Sequence, residues 1–311
     1  LLPIRTRLEC DQVLQVCAPI LAKLSPVPED GWLSFCYRYI RACLYPQGNF
    51  APDAQEHVEG ARFYLTVLQV LLDYERQVLP FDPLMDFQFL TPEEYTPCDC
   101  GREYAKLLEC YRKEYVYELM RLGLEVTPFK TLGHIAGVHY IAMAVARGLK
   151  QAGVDIDLAL ISGSAAAHDI GKFGCRPGER VPHLHYYYTD QWLLERHLDN
   201  ISHIASNHST WDLELESLSV ESLCLIYADF RSKQSRDADG NEITVLYPLD
   251  ESFQVILSKL ENVEFDIKCA TCSENAKGEQ PAAPEKITLT RKEGADNTIR
   301  LLTGVQSVSY T

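Results

Sequence analysis

The sequence predicts an all-α fold, and three observations carry that expectation. Apolar residues recur at helical spacing through most of the first 260 positions. Alternating apolar residues are confined to a short stretch near the C-terminus, around Ile287, Leu289, Ile299 and Leu301. Loops carrying Pro at 25–31, 46–53 and 80–92 divide the early part of the chain into helix-sized segments. With 311 residues, 46% of them hydrophobic and 23% charged, the composition is that of a globular protein with a sizeable core.

Residues 1–102 read as a helical N-terminal region. Val13, Leu14, Cys17 and Leu21 form one stripe, and Phe63, Leu65, Val67, Leu68, Leu71 and Leu72 another. No chemistry-bearing pattern falls there, so this region is expected to act as a cap or a partner-binding layer. From 103 to 263 the helical rhythm strengthens, and eight of the nine histidines lie between 134 and 208. Phe253, Ile256, Leu257 and Leu260 mark a closing helix over 249–260. Residues 264–311 are expected to be a tail or a small β element, in which the polar run Lys277 to Lys286 precedes the alternating residues from Ile287.

The formal charge is −15. Such a surface repels phosphate backbones at long range, which excludes a nucleic-acid-coating role but leaves room for a local cationic site. No apolar run is long enough to span a membrane, and no secretory leader pattern is present. The eleven scattered cysteines read as reduced thiols of a cytoplasmic protein. The pairs Cys98/Cys100 and Cys269/Cys272 match no compact zinc module. Because the chain starts at Leu1, a larger parent chain is one expectation; a homo-oligomer is the other partner expected.

The chemistry concentrates in a few histidines and aspartates. Leu158, Ile161, Ala165 and His168 share a stripe, so His168 continues a buried face and Asp169 follows it at the helix end. Gly171 suits a helix C-terminus needing a positive φ, and Lys172 lies one turn on, within reach of a phosphate oxygen. His134 heads the stripe Val138, Ile141, Ala142, Val145, Ala146 and Leu149, while His139 falls off it. Leu194, Leu198, Ile201, Ala205 and His208 form a third stripe, with His203 on the opposite side. Asp229 sits in the apolar run 223–230, where an uncompensated carboxylate would be costly. His183 and His185 precede the His208 helix; in an extended lead-in both would point one way, in a helix they diverge.

Together these residues resemble the HD superfamily of metal-dependent phosphohydrolases. The pattern H…HD…D is carried by His134, His168-Asp169 and Asp229, and the phrase HDIGK stands at 168–172. The resemblance covers about 105–262. It implies an HD-domain helical bundle bearing an N-terminal helical extension. It also implies a divalent metal centre of one or two ions, with Mn, Fe, Co, Ni, Mg and Zn not distinguished. His134, His168, Asp169 and Asp229 would ligate the first ion. His185, favoured over His183 because Thr189 follows four residues later, and His208 would ligate a second, with Asp169 bridging. The longer HHExxDGxGYP motif of the cyclic-di-GMP-cleaving branch is absent, since Ser209 follows His208 and no GYP occurs.

The implied activity is hydrolysis of a phosphoester of a nucleotide or similar small molecule by a metal-activated water. Lys172 and Asp169 are the candidate catalytic residues. Lys172, Arg231, Lys233 and Arg236 are the candidate substrate contacts, and Glu214 or Asp212 a candidate outer base. Tyr186, Tyr187, Tyr188 and Trp192 would either stack on a base or pack the core. Two other classes share the pattern: a catalytically silent nucleotide sensor or scaffold, and a di-iron oxygenase.

Overall fold

The computed structural model describes residues 4–46, 55–128, 130–208, 218–238, 242–252 and 254. Local capping chemistry sets several helix starts. α1 (Cys10–Leu24) opens on a reciprocal cap, in which the Glu9 amide donates to the Gln12 side chain at 3.2 Å and the Glu9 side chain takes the amide of Gln12. Its Cys10, Val13, Cys17 and Leu21 are buried against α2 (Trp32–Leu44) and α3 (Val58–Val78). A short α4 (Pro92–Tyr95), then α5 (Gly101–Lys113) and α6 (Val116–Val126), lead to the middle of the molecule.

The central element is α7 (Thr131–Gln151), whose first nine residues are all buried. That burial follows from its neighbours: α6, α8 (Leu158–Ala167) and α11 (Val220–Arg231) all pack on it. Asp157 caps α8 by accepting from the amides of Ala159 and Leu160 at 2.8 and 2.9 Å. Ser219 caps α11 through the amide of Ser222 at 3.1 Å. A 3₁₀ turn (Ile170–Gly174) follows α8, and α9 (Val181–Leu194) and α10 (Asp199–Ala205) complete the wall. The all-α class is therefore the observed one. No described helix is long and apolar enough to cross a membrane.

Two expectations are corrected. The stripe from Leu194 to His208 is not one helix: the chain breaks between α9 and α10, where His197 takes a left-handed φ of 52°. Leu194 is 42% exposed, and the buried stripe starts at Leu198. The basic stretch after Asp229, expected within a wholly helical domain, forms strand β1 (Ser232–Arg236). It pairs antiparallel with β2 (Glu242–Leu246), Ser232 opposite Leu246 and Arg236 opposite Glu242. The hairpin lies in a trough over α7 made by two glycines. A Cβ on Gly133 would meet Thr244 Oγ1 at 2.5 Å, and one on Gly137 would meet Ser232 Oγ at 2.6 Å.

One hydrophobic cluster runs from Leu8 to Ala228 and includes buried residues on both sides of position 102. The N-terminal helices are thus built into the core that carries the histidines. Of the expected closing helix, 249–252 and 254 are helical. Its remainder and the features placed in 264–311 lie outside the described residues.

Candidate metal centre

Five separate segments converge on one buried point. His134 comes from the first turn of α7, His168 and Asp169 from the end of α8, and Asp229 from the last turn of α11. His185 lies in the second turn of α9, and His208 just beyond α10. All six residues are buried, the most accessible being 5% exposed. Donor atoms of His134, His168 and Asp229 lie within 4.8 Å of one another, as do those of His168, Asp169 and His208.

Asp169 divides its two oxygens between two histidine groups. Oδ2 lies 3.1 Å from Nε2 of His134 and 3.5 Å from Nε2 of His168. Oδ1 faces Nε2 of His185 at 3.4 Å and that of His208 at 3.9 Å. Asp229 Oδ1 completes the first group, 3.2 Å from His134 Nε2 and 4.0 Å from His168 Nε2. Neither Asp169 oxygen receives a hydrogen bond of good geometry, although Lys172 Nζ stands 2.5 Å from Oδ2. Lys172 thus supplies one positive charge at Oδ2, while Oδ1 faces only imidazole nitrogens, so a buried carboxylate is left with one oxygen that a further cation would satisfy. The donor set, imidazole nitrogen and carboxylate oxygen, suits divalent first-row ions and zinc.

The backbone fixes which imidazole nitrogen faces inward. Nδ1 of His168 donates to the Ala165 carbonyl at 2.8 Å, that of His185 to Val181 at 2.7 Å, and that of His208 to Ala205 at 2.6 Å. Since a carbonyl only accepts, each Nδ1 carries the proton and each Nε2 turns a lone pair into the cluster. Burial lowers all three pKa values to about 4, so these rings are neutral at physiological pH. For both carboxylates burial works in the opposite direction and is overruled. Lys172 and the nearby imidazoles hold Asp169 well below the usual carboxylate range, and Lys233 and His134 do the same for Asp229.

The four candidate substrate contacts separate. Lys172 is at the centre, its side chain 29% exposed. Lys233, carried in by β1, reaches Asp229 Oδ2 at 2.8 Å. Arg231 is committed elsewhere, to the Tyr247 carbonyl at 2.6 Å and to the Tyr227 hydroxyl and ring. Arg236 is an exposed residue at the opposite end of β1 from Ser232. His183 is in α9 with His185, the helical arrangement in which the two diverge, and its side chain lies outside the described residues. Asp212 and Glu214 lie outside them as well.

The aromatics of α9 also divide. Trp192 is fully buried beneath Arg196, and Tyr188 packs on Tyr45 and donates to Glu179, so both serve packing. Tyr187 is 61% exposed. Tyr186 alone of the four borders the centre, its ring centroid 3.8 Å from that of His185 and 5.0 Å from that of His208.

Gly171 is required for a reason other than the expected positive φ. A Cβ there would lie 1.9 Å from the His185 carbonyl oxygen and 2.4 Å from the Thr189 amide nitrogen. Thr189 uses the closeness: its hydroxyl accepts from the Gly171 amide at 3.0 Å and donates to the His168 carbonyl at 3.1 Å. Sequence reading missed the outer support from α2. Arg41 donates to the carbonyls of Phe173 and Cys175, both at 2.8 Å, and Tyr45 donates to that of Ile170 at 2.7 Å. An Arg and a Tyr on a distant helix carry no local pattern that would announce this. His139, off the His134 stripe, is nonetheless fully buried. It hydrogen-bonds the Ser162 hydroxyl at 2.9 Å between the rings of Phe87 and Phe89, apart from the cluster.

Comparison with protein-family models, curated proteins and solved structures returns no match to this chain.

Proposed function

We propose that this protein is a metal-dependent phosphohydrolase of the HD type, acting on a small phosphorylated substrate such as a nucleotide. The observation that supports the reading most is the divided Asp169 carboxylate, buried, short of hydrogen bonds, and turned toward two histidine groups at once. When bound there, divalent ions supply Lewis acidity and a water acidic enough to attack near neutral pH.

The chain's own groups set the charge and the orientation. Two carboxylates and two ammonium groups balance in the centre, so an added divalent cation makes it cationic despite the −15 of the whole chain. That polarity favours a phosphate dianion over a neutral substrate. Lys172 is partly exposed at the centre, and holds a non-bridging phosphoryl oxygen as charge builds on it. Neutral imidazoles at His168, His185 and His208 keep their lone pairs available without a proton having to leave first. Tyr186 forms a half-buried aromatic wall for the organic part of the substrate.

The test is metal analysis of the purified protein, followed by a phosphoester panel assayed with Mn, Co, Ni, Mg, Fe and Zn. Metal-dependent turnover that is lost in His168→Ala and Asp169→Ala supports the reading. Tight nucleotide binding with no turnover would instead assign a silent sensor. Bound iron with oxygen consumption would assign an oxygenase.

A further inference from the structure

The two lysines of the centre grip their carboxylates differently. Lys172 stands on Asp169 Oδ2, the same oxygen that faces His134 and His168. Lys233 takes Asp229 Oδ2, while the other oxygen, Oδ1, faces those histidines. A cation on the ligating oxygen stands where an ion would be held; a donor on the opposite oxygen aims the carboxylate and leaves its ligating atom open. Lys233 is also the more enclosed, its side chain 15% exposed, with the ammonium 5.1 Å from the Phe230 ring centroid.

Lys233 belongs to a larger device. The preceding residue, Ser232, donates its hydroxyl to the His134 carbonyl at 3.2 Å. Adjacent residues of β1 therefore touch Asp229 and His134, two of the three members of one histidine–carboxylate group. No described contact joins β1 to His185 or His208. The seat of the hairpin on Gly133 and Gly137 lies within one turn of His134 on α7.

Resting on the metal-centre reading above, we propose that the β1–β2 hairpin is a brace for the His134–His168–Asp229 group. In it Lys233 is a positioning residue for Asp229 rather than a contact to substrate, and Lys172 alone of the two ammonium groups is exchanged when an ion enters.

Cobalt titration of the full chain, followed by calorimetry and by visible d–d absorption, tests this with Lys233→Met, Lys233→Arg and Gly137→Ala. Lys233→Met is expected to bind cobalt roughly 10- to 100-fold more weakly, with an altered spectrum, the range found when an outer partner of a ligand is removed. Lys233→Arg, which keeps a cationic donor, should recover most of the affinity. Gly137→Ala should repeat the defect with every charge intact, because its methyl group pushes Ser232 outward. At saturating metal, KM for a phosphomonoester should stay unchanged in Lys233→Arg, which keeps the charge of the centre. Cobalt affinity in Lys233→Met equal to or tighter than wild type, or a raised KM with unaltered cobalt binding, overturns the brace and leaves the hydrolase reading standing. A wild-type chain that binds no divalent ion overturns both. Circular dichroism of each variant separates a misfolded chain from a loosened site.

Discussion

Gly171 and His185 meet backbone to backbone: the missing Cβ of the first would lie 1.9 Å from the carbonyl oxygen of the second. The turn that carries Asp169 is thereby pressed onto the helix that carries His185, and no side chain fits between them. Gly171→Ala is expected to cost about 3 kcal/mol or more of stability, the upper end of overpacking effects. It should also lose divalent-metal binding, although no ligand is removed. Thermal unfolding and calorimetry of the variant check both halves of that expectation.

Asp169 turns one oxygen toward each histidine pair, Oδ2 toward His134 and His168 and Oδ1 toward His185 and His208. Asp169→Asn preserves its volume and removes its charge. Metal affinity should fall beyond the roughly 10- to 100-fold that outer contacts command, and in both groups together. Retention of full metal stoichiometry by a folded Asp169→Asn protein, measured by elemental analysis, would remove Asp169 from the centre.

Acid should loosen the metal-free fold. His168, His185 and His208 titrate near 4 in the native state because burial disfavours their charged forms; in the unfolded chain they titrate near 6.5. Between those values the unfolded chain binds more protons. Stability is therefore complete above about pH 6.5 and declines as pH falls toward 4, by several kcal/mol for the three rings together. Urea unfolding in chelator at pH 7.5, 5.5 and 4.5 measures it. A flat profile would mean that the rings are not buried in their neutral form.

Glu118, in α6 and away from the centre, behaves in the opposite sense. Burial raises its pKa to about 7, and its Oε2 has no hydrogen-bond partner among the described residues. Its protonated form is accommodated, so its contribution is whole below about pH 4.5 and lost as pH rises through 7. Glu118→Gln should thus be nearly neutral at pH 5 and stabilising at pH 8, by up to about 3 kcal/mol. Equal effects at the two pH values would refute the burial argument.

How far the sequence reached follows from how local each signal is. His134, His168 and Asp229 stand on single-helix stripes or in an apolar run, so their inward direction was readable from spacing. The bend between α9 and α10 was not, because Leu194 and Leu198 keep helical phase in the sequence while the backbone departs at His197 and Leu198. The hairpin was hidden for a different reason. Ser232–Arg236 has no apolar alternation, and it becomes a strand because two glycines of α7 open a trough for it. Gly171 was recognised as needed, but spacing suggests a torsional reason where tertiary contact supplies a steric one.

The grip of α2 on the 3₁₀ turn has a further consequence. Two carbonyls of that turn, those of Ile170 and Phe173, and that of Cys175 just after it are satisfied by Arg41 and Tyr45. Severing the chain near position 102 would strip away those donors and open the shared core. The leading hundred residues are accordingly a splint for the chemistry rather than an attachment to it, and an isolated C-terminal fragment should inherit the ligands without the rigidity that makes them useful.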